Sequence, residues 1–247
     1  MTMTEQQLET YWLDGHVTVP DVFTAAEMDA LVADMIDWGN EFLSGLGEQE
    51  KRWYLEDSPA GQAVLRKLDN PVFFRPSFRA IAGDPRLTSL VRQIIGDGLS
   101  VRFSQIFCKP PSIGGPKPMH QDNYYFGCDD RDGMVTAWLA LDDATIENGC
   151  LHFADGSNKG PIYPHVAPEG RAFDLQLTPE DIAKQTMTPA PVPKGGISFH
   201  HGNTLHQSAD NRSNRWRRAV AMHFVNDSTV FATPALPYDD SLIVAIA

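Results

Sequence analysis

The stretch Lys109-Pro110-Pro111-Ser112-Ile113-Gly114-Gly115-Pro116-Lys117-Pro118-Met119-His120-Gln121-Asp122 decides how this chain is read. A Pro/Gly-rich loop delivers an imidazole and a carboxylate two positions apart. In extended backbone, residues i and i+2 point to the same side, so His120 and Asp122 can reach one metal ion. One more ligand would complete a two-His, one-carboxylate facial triad. That geometry leaves three adjacent positions open, which suits non-heme Fe(II). An H-x-D tripeptide alone is common by chance, so its surroundings carry the argument.

Working outward, residues 99–109 alternate as a strand. Val101, Phe103, Gln105 and Phe107 fall on one side, and Arg102, Ser104 and Ile106 on the other. Residues 134–141 form a second strong strand. Asn148-Gly149 is a type I′ hairpin signal, with 150–154 as the strand behind it. Residues 155–190 read as a long, irregular, proline-containing insertion of the kind that serves as a lid or substrate wall. Residues 195–200 lead into another strand, and 216–225 form the last. Short strands with turn punctuation favour a sandwich or jelly-roll barrel.

The first part of the chain reads differently. A helix is expected over 4–13 and a strand over 15–20. A capping box (Thr24, Glu27) opens a helix that carries Met28, Leu31, Met35 and Ile36 at helical spacing and runs to about Trp38. Further helices are expected near 62–67 and over 87–95. The expectation is one domain over 1–247, mostly β with peripheral helices (α+β). A helical part, about 1–98, packs on a β core, about 99–230.

The bulk properties narrow the function classes. The chain has 247 residues, 42% of them hydrophobic, enough for one domain with a substantial core. A net charge of -12 argues against nucleic acid or an anionic membrane as partner. Three cysteines, none in a C-x-x-C pair, argue against a disulfide framework or zinc ribbon and for buried thiols in a reducing cytoplasm. The polar N-terminus lacks the apolar segment of a signal peptide, and no apolar run approaches a membrane span.

Among the eight histidines, His16 and His165 read as structural or solvated, while His200, His201 and His206 are positioned to supply a third ligand. Residues 206–218 read as a strand end, a polar turn and a returning strand. His206 and Ser208 share one face; Arg217, Ala219, Ala221 and His223 share another. A guanidinium there can clamp a carboxylate bidentately while the alanines leave room beside it.

These pieces together resemble the phytanoyl-CoA dioxygenase family of Fe(II)/2-oxoglutarate oxygenases. The resemblance rests on Lys109-Pro110-Pro111, His120-Gln121-Asp122, Thr136-Ala137-Trp138, Glu147-Asn148-Gly149-Cys150-Leu151, Asp155-Gly156-Ser157, His206-x-Ser208-x-x-Asn211-x-Ser213 and Arg217, in order across about residues 100–225. It implies a double-stranded β-helix core, cupin-like in outline. It implies His120, Asp122 and His206 as iron ligands. Arg217 and Ser208 would hold the far carboxylate of 2-oxoglutarate, and Trp138 would line its pocket, with Gln105 and Lys67 near it. Fe(II), 2-oxoglutarate and O2 are the implied cofactor and cosubstrates. Asn158 and Gly195-Gly196 depart from the family pattern without touching an implied ligand. Halogenating relatives carry a small residue in place of Asp122, so the carboxylate points to hydroxylation of a small-molecule metabolite. Tyr124, Tyr125 and Phe126, directly after the motif, are candidate substrate contacts. Two other readings keep the same barrel: a catalytically silent binding protein, and a cupin-like metal enzyme that does not use 2-oxoglutarate. The intact set His120, Asp122, His206 and Arg217 argues against both.

Overall fold

Two capping boxes organise the start of the chain. Thr4 and Gln7 satisfy each other's backbone donors at the head of α1 (Glu5–Asp14), and Thr24 and Glu27 do the same for α2 (Ala25–Ser44). The structure, a computed structural model, describes residues 1–57, 63–167 and 175–246. α1 ends at Gly15, whose φ of 84° suits glycine, and an added Cβ there would lie 2.4 Å from Thr204 Oγ1. α2 runs past the expected Trp38 to Ser44. Its buried stripe is Met28, Leu31, Met35 and Trp38. Ile36 falls off that stripe and is 46% exposed, against expectation.

Two antiparallel sheets form the core. Their strands are β1 (His16–Val19), β2 (Lys67–Asp69), β3 (Ser100–Lys109), β4 (Lys117–His120), β5 (Met134–Ala140), β6 (Leu151–Phe153), β7 (Thr188–Ala190), β8 (Ile197–His201), β9 (His206–Ser208), β10 (Arg217–Val225) and β11 (Val244–Ala245). The large sheet has the order β1-β8-β5-β10-β3-β11, with β2 also paired to β3; the smaller sheet has the order β7-β6-β9-β4. This is the jelly-roll, or double-stranded β-helix, that the strand pattern and the resemblance predict. β11 lies beyond the expected end of the core near residue 230.

Alternation divides the large sheet's side chains between two tasks. Val135, Ala137, Leu139, Val220, Met222 and Phe224 pack against α2 and the helices Pro76–Ala82 and Pro85–Ile95. Trp138, Ala140, Ala219 and Ala221 point the other way and meet Leu151, Phe153 and Ala190 of the smaller sheet. The functional cavity opens on this second face. No helix among the described residues is long and apolar enough to cross a membrane. All three cysteines are free and buried.

Several local expectations are corrected. Residues 63–65 and 67–69 are strands, not a helix; Lys67 pairs across from Phe107 and Asp69 from Gln105, and Gln62 lies outside the described residues. Asn148-Gly149 makes no type I′ hairpin, which needs positive φ at both residues. Only Gly149 has it, at 86°, and the segment carries the chain from one sheet to the other. Asn148 folds that turn with its side chain: Oδ1 accepts from Thr145 N at 2.7 Å and Nδ2 donates to Asp143 O at 2.7 Å. Val101 packs with the helices rather than beside Phe103, because the pairing of β3 with β10 shifts register between His223 and Phe224. In the 155–190 insertion, His165–Val166 pairs with Gln176–Leu177, and residues 168–174 lie outside the described set.

Candidate active site

β4 and β9 are neighbours in the smaller sheet, and their register sets His120 opposite His206. Gln121 stays extended, at φ -122° and ψ 131°, which returns Asp122 to the side of His120; the chain then turns into a short helix, Asp122–Phe126. His120 Nε2 and His206 Nε2 each lie 3.6 Å from Asp122 Oδ1. The far nitrogen of each ring is committed: His120 Nδ1 donates to Pro118 O at 2.7 Å and His206 Nδ1 to Thr204 O at 3.0 Å. Carbonyl oxygens only accept, so in the neutral ring the Nε2 atom is the one that carries the lone pair. Burial, aided by the nearby His206, lowers His120 well below the ordinary histidine range and keeps it neutral. Two lone pairs and a carboxylate oxygen thus converge with no proton between them, an arrangement that fits a divalent cation. Among the described residues this is the one cluster of His, Cys, Asp and Glu with metal-binding geometry.

The second oxygen of Asp122 is held elsewhere. Thr136 Oγ1 donates to Asp122 Oδ2 at 2.6 Å, and His200 Nε2 donates to the same atom at 3.0 Å. Thr136 accepts in turn from His223 Nδ1 at 2.8 Å. Burial works to raise the Asp122 carboxyl, but the surrounding imidazoles of His206, His223 and His200 hold it well below the usual carboxylate range. Such outer contacts fix which oxygen faces a metal. His200 and His201, open candidates in the sequence, therefore separate from His206. His200 supports Asp122, and His201 bonds Asp132 at the surface at 2.9 Å.

A cavity of about 230 Å³ extends from the three ligand candidates, lined by Arg217, Ser208, Trp138, Gln105 and Lys67 among others. Arg217 is 3% exposed, has no carboxylate partner among the described residues, and its Nε is buried without a hydrogen bond. Its guanidinium lies 5.5 Å from the Trp138 ring centroid. Burial lowers its pKa to about 10, so it stays cationic at neutral pH. An uncompensated buried cation is costly, and an anionic ligand would relieve that cost. Ala219 and Ala221 share its face of β10 and leave space between Arg217 and the histidines.

The remaining candidates divide. Lys67 and Gln105 line the cavity, and both bind Asp69, a carboxylate without a sequence signal. Gln105 Nε2 donates to it at 2.7 Å, Lys67 Nζ at 3.2 Å, and Trp53 Nε1 at 3.4 Å. Tyr125 and Phe126 line the cavity. Tyr124 does not; helical geometry turns it away, and it stacks on His165 at 3.9 Å. Three further arginines are committed elsewhere: Arg75 to Asp34, Arg79 to backbone carbonyls and Arg102 to Asp240.

Lys109 of the Lys-Pro-Pro motif is 4% exposed and sits across from Arg217 in the register of β3 and β10. Its Nζ donates to Gly115 O and to Ala209 O, joining the loop before His120 to the loop after Ser208. Burial, reinforced by Arg217, lowers its pKa to about 6. The unfolded chain therefore binds a proton that the folded protein releases between pH 6 and the ordinary lysine range. Stability should rise with pH across that window, by up to about 1.4 kcal/mol per unit. Urea unfolding of metal-free protein at pH 7 and pH 9 should show this rise, and Lys109→Met should flatten it; equal slopes would refute the assignment.

Comparison with known proteins gives the same outline. The sequence pattern of the family described as phytanoyl-CoA dioxygenase (PhyH) matches residues 11–219. The mouse phytanoyl-CoA dioxygenase domain-containing protein 1 is 30% identical over 175 residues, which is 66% of this chain and 60% of the relative. A probable alpha-ketoglutarate-dependent hypophosphite dioxygenase of Stutzerimonas stutzeri is 26% identical over 89% of this chain and 77% of its own length. The chain thus spans less than two thirds of the mouse relative. The crystal structure of the non-heme alpha ketoglutarate dependent carbocyclase SnoK from nogalamycin biosynthesis superposes with a TM-score of 0.74 at 21% identity, over 99% of this chain and 97% of that one. At that identity the likeness concerns the fold.

Proposed function

From the premise that this chain belongs to the phytanoyl-CoA dioxygenase family, we propose that it is an Fe(II)- and 2-oxoglutarate-dependent dioxygenase hydroxylating a small-molecule metabolite. The observation that carries this reading is the buried, unpaired Arg217 in the same cavity as the converging lone pairs of His120 and His206. His120, Asp122 and His206 would hold Fe(II). Arg217 and Ser208 would hold the far carboxylate of 2-oxoglutarate beside Trp138, with Gln105 and Lys67 at the border. When bound, the iron supplies the oxidation, in which O2 and 2-oxoglutarate yield succinate, CO2 and an oxygen atom for the substrate.

The protein's own contribution is positional. Thr136 and His200 hold Asp122 Oδ2 so that only Oδ1 faces the metal position. The Pro118 and Thr204 carbonyls fix both ligand rings in one tautomer. The apolar surfaces of Trp138, Ala221 and Leu151 exclude water around the cosubstrate. The Asp122 carboxylate fills the place a halide would need, which supports hydroxylation over halogenation. One relative is described as a probable hypophosphite dioxygenase and a structural neighbour as a carbocyclase from nogalamycin biosynthesis, so neither family nor fold names the substrate.

Anaerobic addition of Fe(II) and 2-oxoglutarate to the purified protein should produce a visible metal-to-ligand charge-transfer band, and air should then release succinate. Iron-loaded, folded protein without that band would overturn the cosubstrate assignment and favour the cupin-like or binding-protein reading.

A further inference from the structure

The family pattern ends at residue 219, yet the cavity does not end with it: Leu236 and Tyr238 line it as well. The segment that carries them is fastened along its length. Asp129 N donates to Val230 O at 2.9 Å, Ala232 N to Gly127 O at 2.9 Å, and Ala235 N to Tyr125 O at 3.0 Å. Gly127 allows that crossing, since an added Cβ would lie 2.3 Å from the Thr233 carbonyl carbon. Arg102, buried on β3, pairs with Asp240, and its guanidinium lies 4.1 Å from the Phe231 ring centroid and 5.4 Å from that of Tyr238. β11 then returns to pair with β3. A strand, an ion pair and cation–π contacts therefore fix a segment that the shared family pattern does not include.

The ring of Tyr238 packs at 5.0 Å from Phe126 and 5.3 Å from Phe103, and Phe126 lies 4.7 Å from His223. His223 is joined through Thr136 to Asp122. Burial, with the carboxylates of Asp122 and Asp69 nearby, raises the Tyr238 hydroxyl well above its ordinary range, so it is a proton donor at all working pH values. Its hydroxyl has no hydrogen-bond partner among the described residues. Aromatic surface from Phe103, Phe126 and Tyr238 faces the polar corner formed by Asp69 and Gln105, away from the Arg217 end.

We infer that residues 226–240 form the substrate-side wall of the cavity and that Tyr238 determines specificity, donating a hydrogen bond to a small substrate whose apolar carbon skeleton packs on Phe103 and Phe126. This rests on the reaction proposed above, since it needs a metal at His120, Asp122 and His206. Arg102 is a positioning residue that acts through the segment, and Leu236 completes the apolar side.

The test uses 3-fluorotyrosine-labelled full-length protein, Mn(II) as probe, and fluorine NMR, with Tyr238→Phe and Tyr125→Phe to assign the two resonances. Tyr125 is the internal control, because its ring centroid is 5.7 Å from that of His120. One equivalent of Mn(II) should broaden both resonances, and a chelator should restore them. Broadening of Tyr125 alone would overturn the placement of Tyr238 while leaving the metal centre intact. Broadening of neither would overturn the metal centre, and this inference with it. For substrates found by succinate release, Tyr238→Phe should raise KM up to about tenfold, the worth of one hydrogen bond, with kcat nearly unchanged. Tyr238→Ala should admit bulkier substrates. An unchanged KM and substrate range in both variants would refute the specificity role.

Discussion

Replacing Arg217 with methionine will weaken 2-oxoglutarate binding by about 100- to 4,000-fold and leave Fe(II) binding nearly intact. The magnitude follows from burial. Removing one partner of a buried charge pair costs about 3–5 kcal/mol, and each factor of ten corresponds to about 1.4 kcal/mol. Arg217 is 3% exposed and no carboxylate among the described residues forms an ion pair with it, so its pairing with a ligand takes place away from water. The same fact predicts an opposite effect on stability. Without ligand, the guanidinium is a buried charge whose desolvation is unrelieved, and methionine of similar length removes that cost. The metal-free variant should therefore unfold at higher urea than the wild type. Arg217→Lys should fall between the two, because it keeps the charge and loses the planar fork. Titration of the anaerobic charge-transfer band gives the affinity, and urea unfolding gives the stability. Wild-type affinity in Arg217→Met would mean that another cation holds the cosubstrate, and Lys67, which also lines the cavity and whose pKa burial lowers only to about 8, would be the first to examine.

The contrast between Arg217 and Asp69 shows what a sequence can carry. Arg217 was visible because the alternation of β10 places Arg217, Ala219, Ala221 and His223 on one face, and a charge aligned with small residues is a legible pattern. Asp69 stands alone between Leu68 and Asn70 in a strand too short to show a period, and that strand exists because β3 is there to pair with it. Tyr238 lies in a segment with no regular structure of its own, held by Arg102 and by backbone bonds to residues more than a hundred positions earlier. Such contacts have no local signature. The Asn148 turn shows the converse. Asn-Gly was a correct turn signal, but side-chain hydrogen bonds and the need to change sheets selected a different turn. Val101 departs from the simple alternation of its strand for a similar reason: one register shift moves every residue beyond it to the other face. The jelly-roll core was readable because its strands alternate; the corners were not, because tertiary pairing decides them.

Histidine replacement offers the sharpest separation, because position alone left three candidates and their environments are unlike. His206→Ala should abolish measurable Fe(II) binding at protein concentrations that saturate the wild type. It removes one of the two Nε2 lone pairs that face Asp122 Oδ1 at 3.6 Å, and leaves a bidentate remnant of His120 and Asp122. His200→Ala should weaken Fe(II) binding by only about 10- to 100-fold, the usual worth of a partner that orients a ligand without touching the metal. His200 donates to Asp122 Oδ2, and Thr136 donates to the same atom, so half of that support survives its loss. Thr136→Val combined with His200→Ala should therefore cost more than the two single changes predict, because the carboxylate would then be free to rotate. His201→Ala should leave iron affinity unchanged, since its ring points to Asp132 at the surface. Competition with a chromophoric Fe(II) chelator under anaerobic conditions ranks all four variants on one scale. Equal losses in His200→Ala and His206→Ala would mean that His200 itself reaches the metal, and the assignment of the third ligand would pass to it.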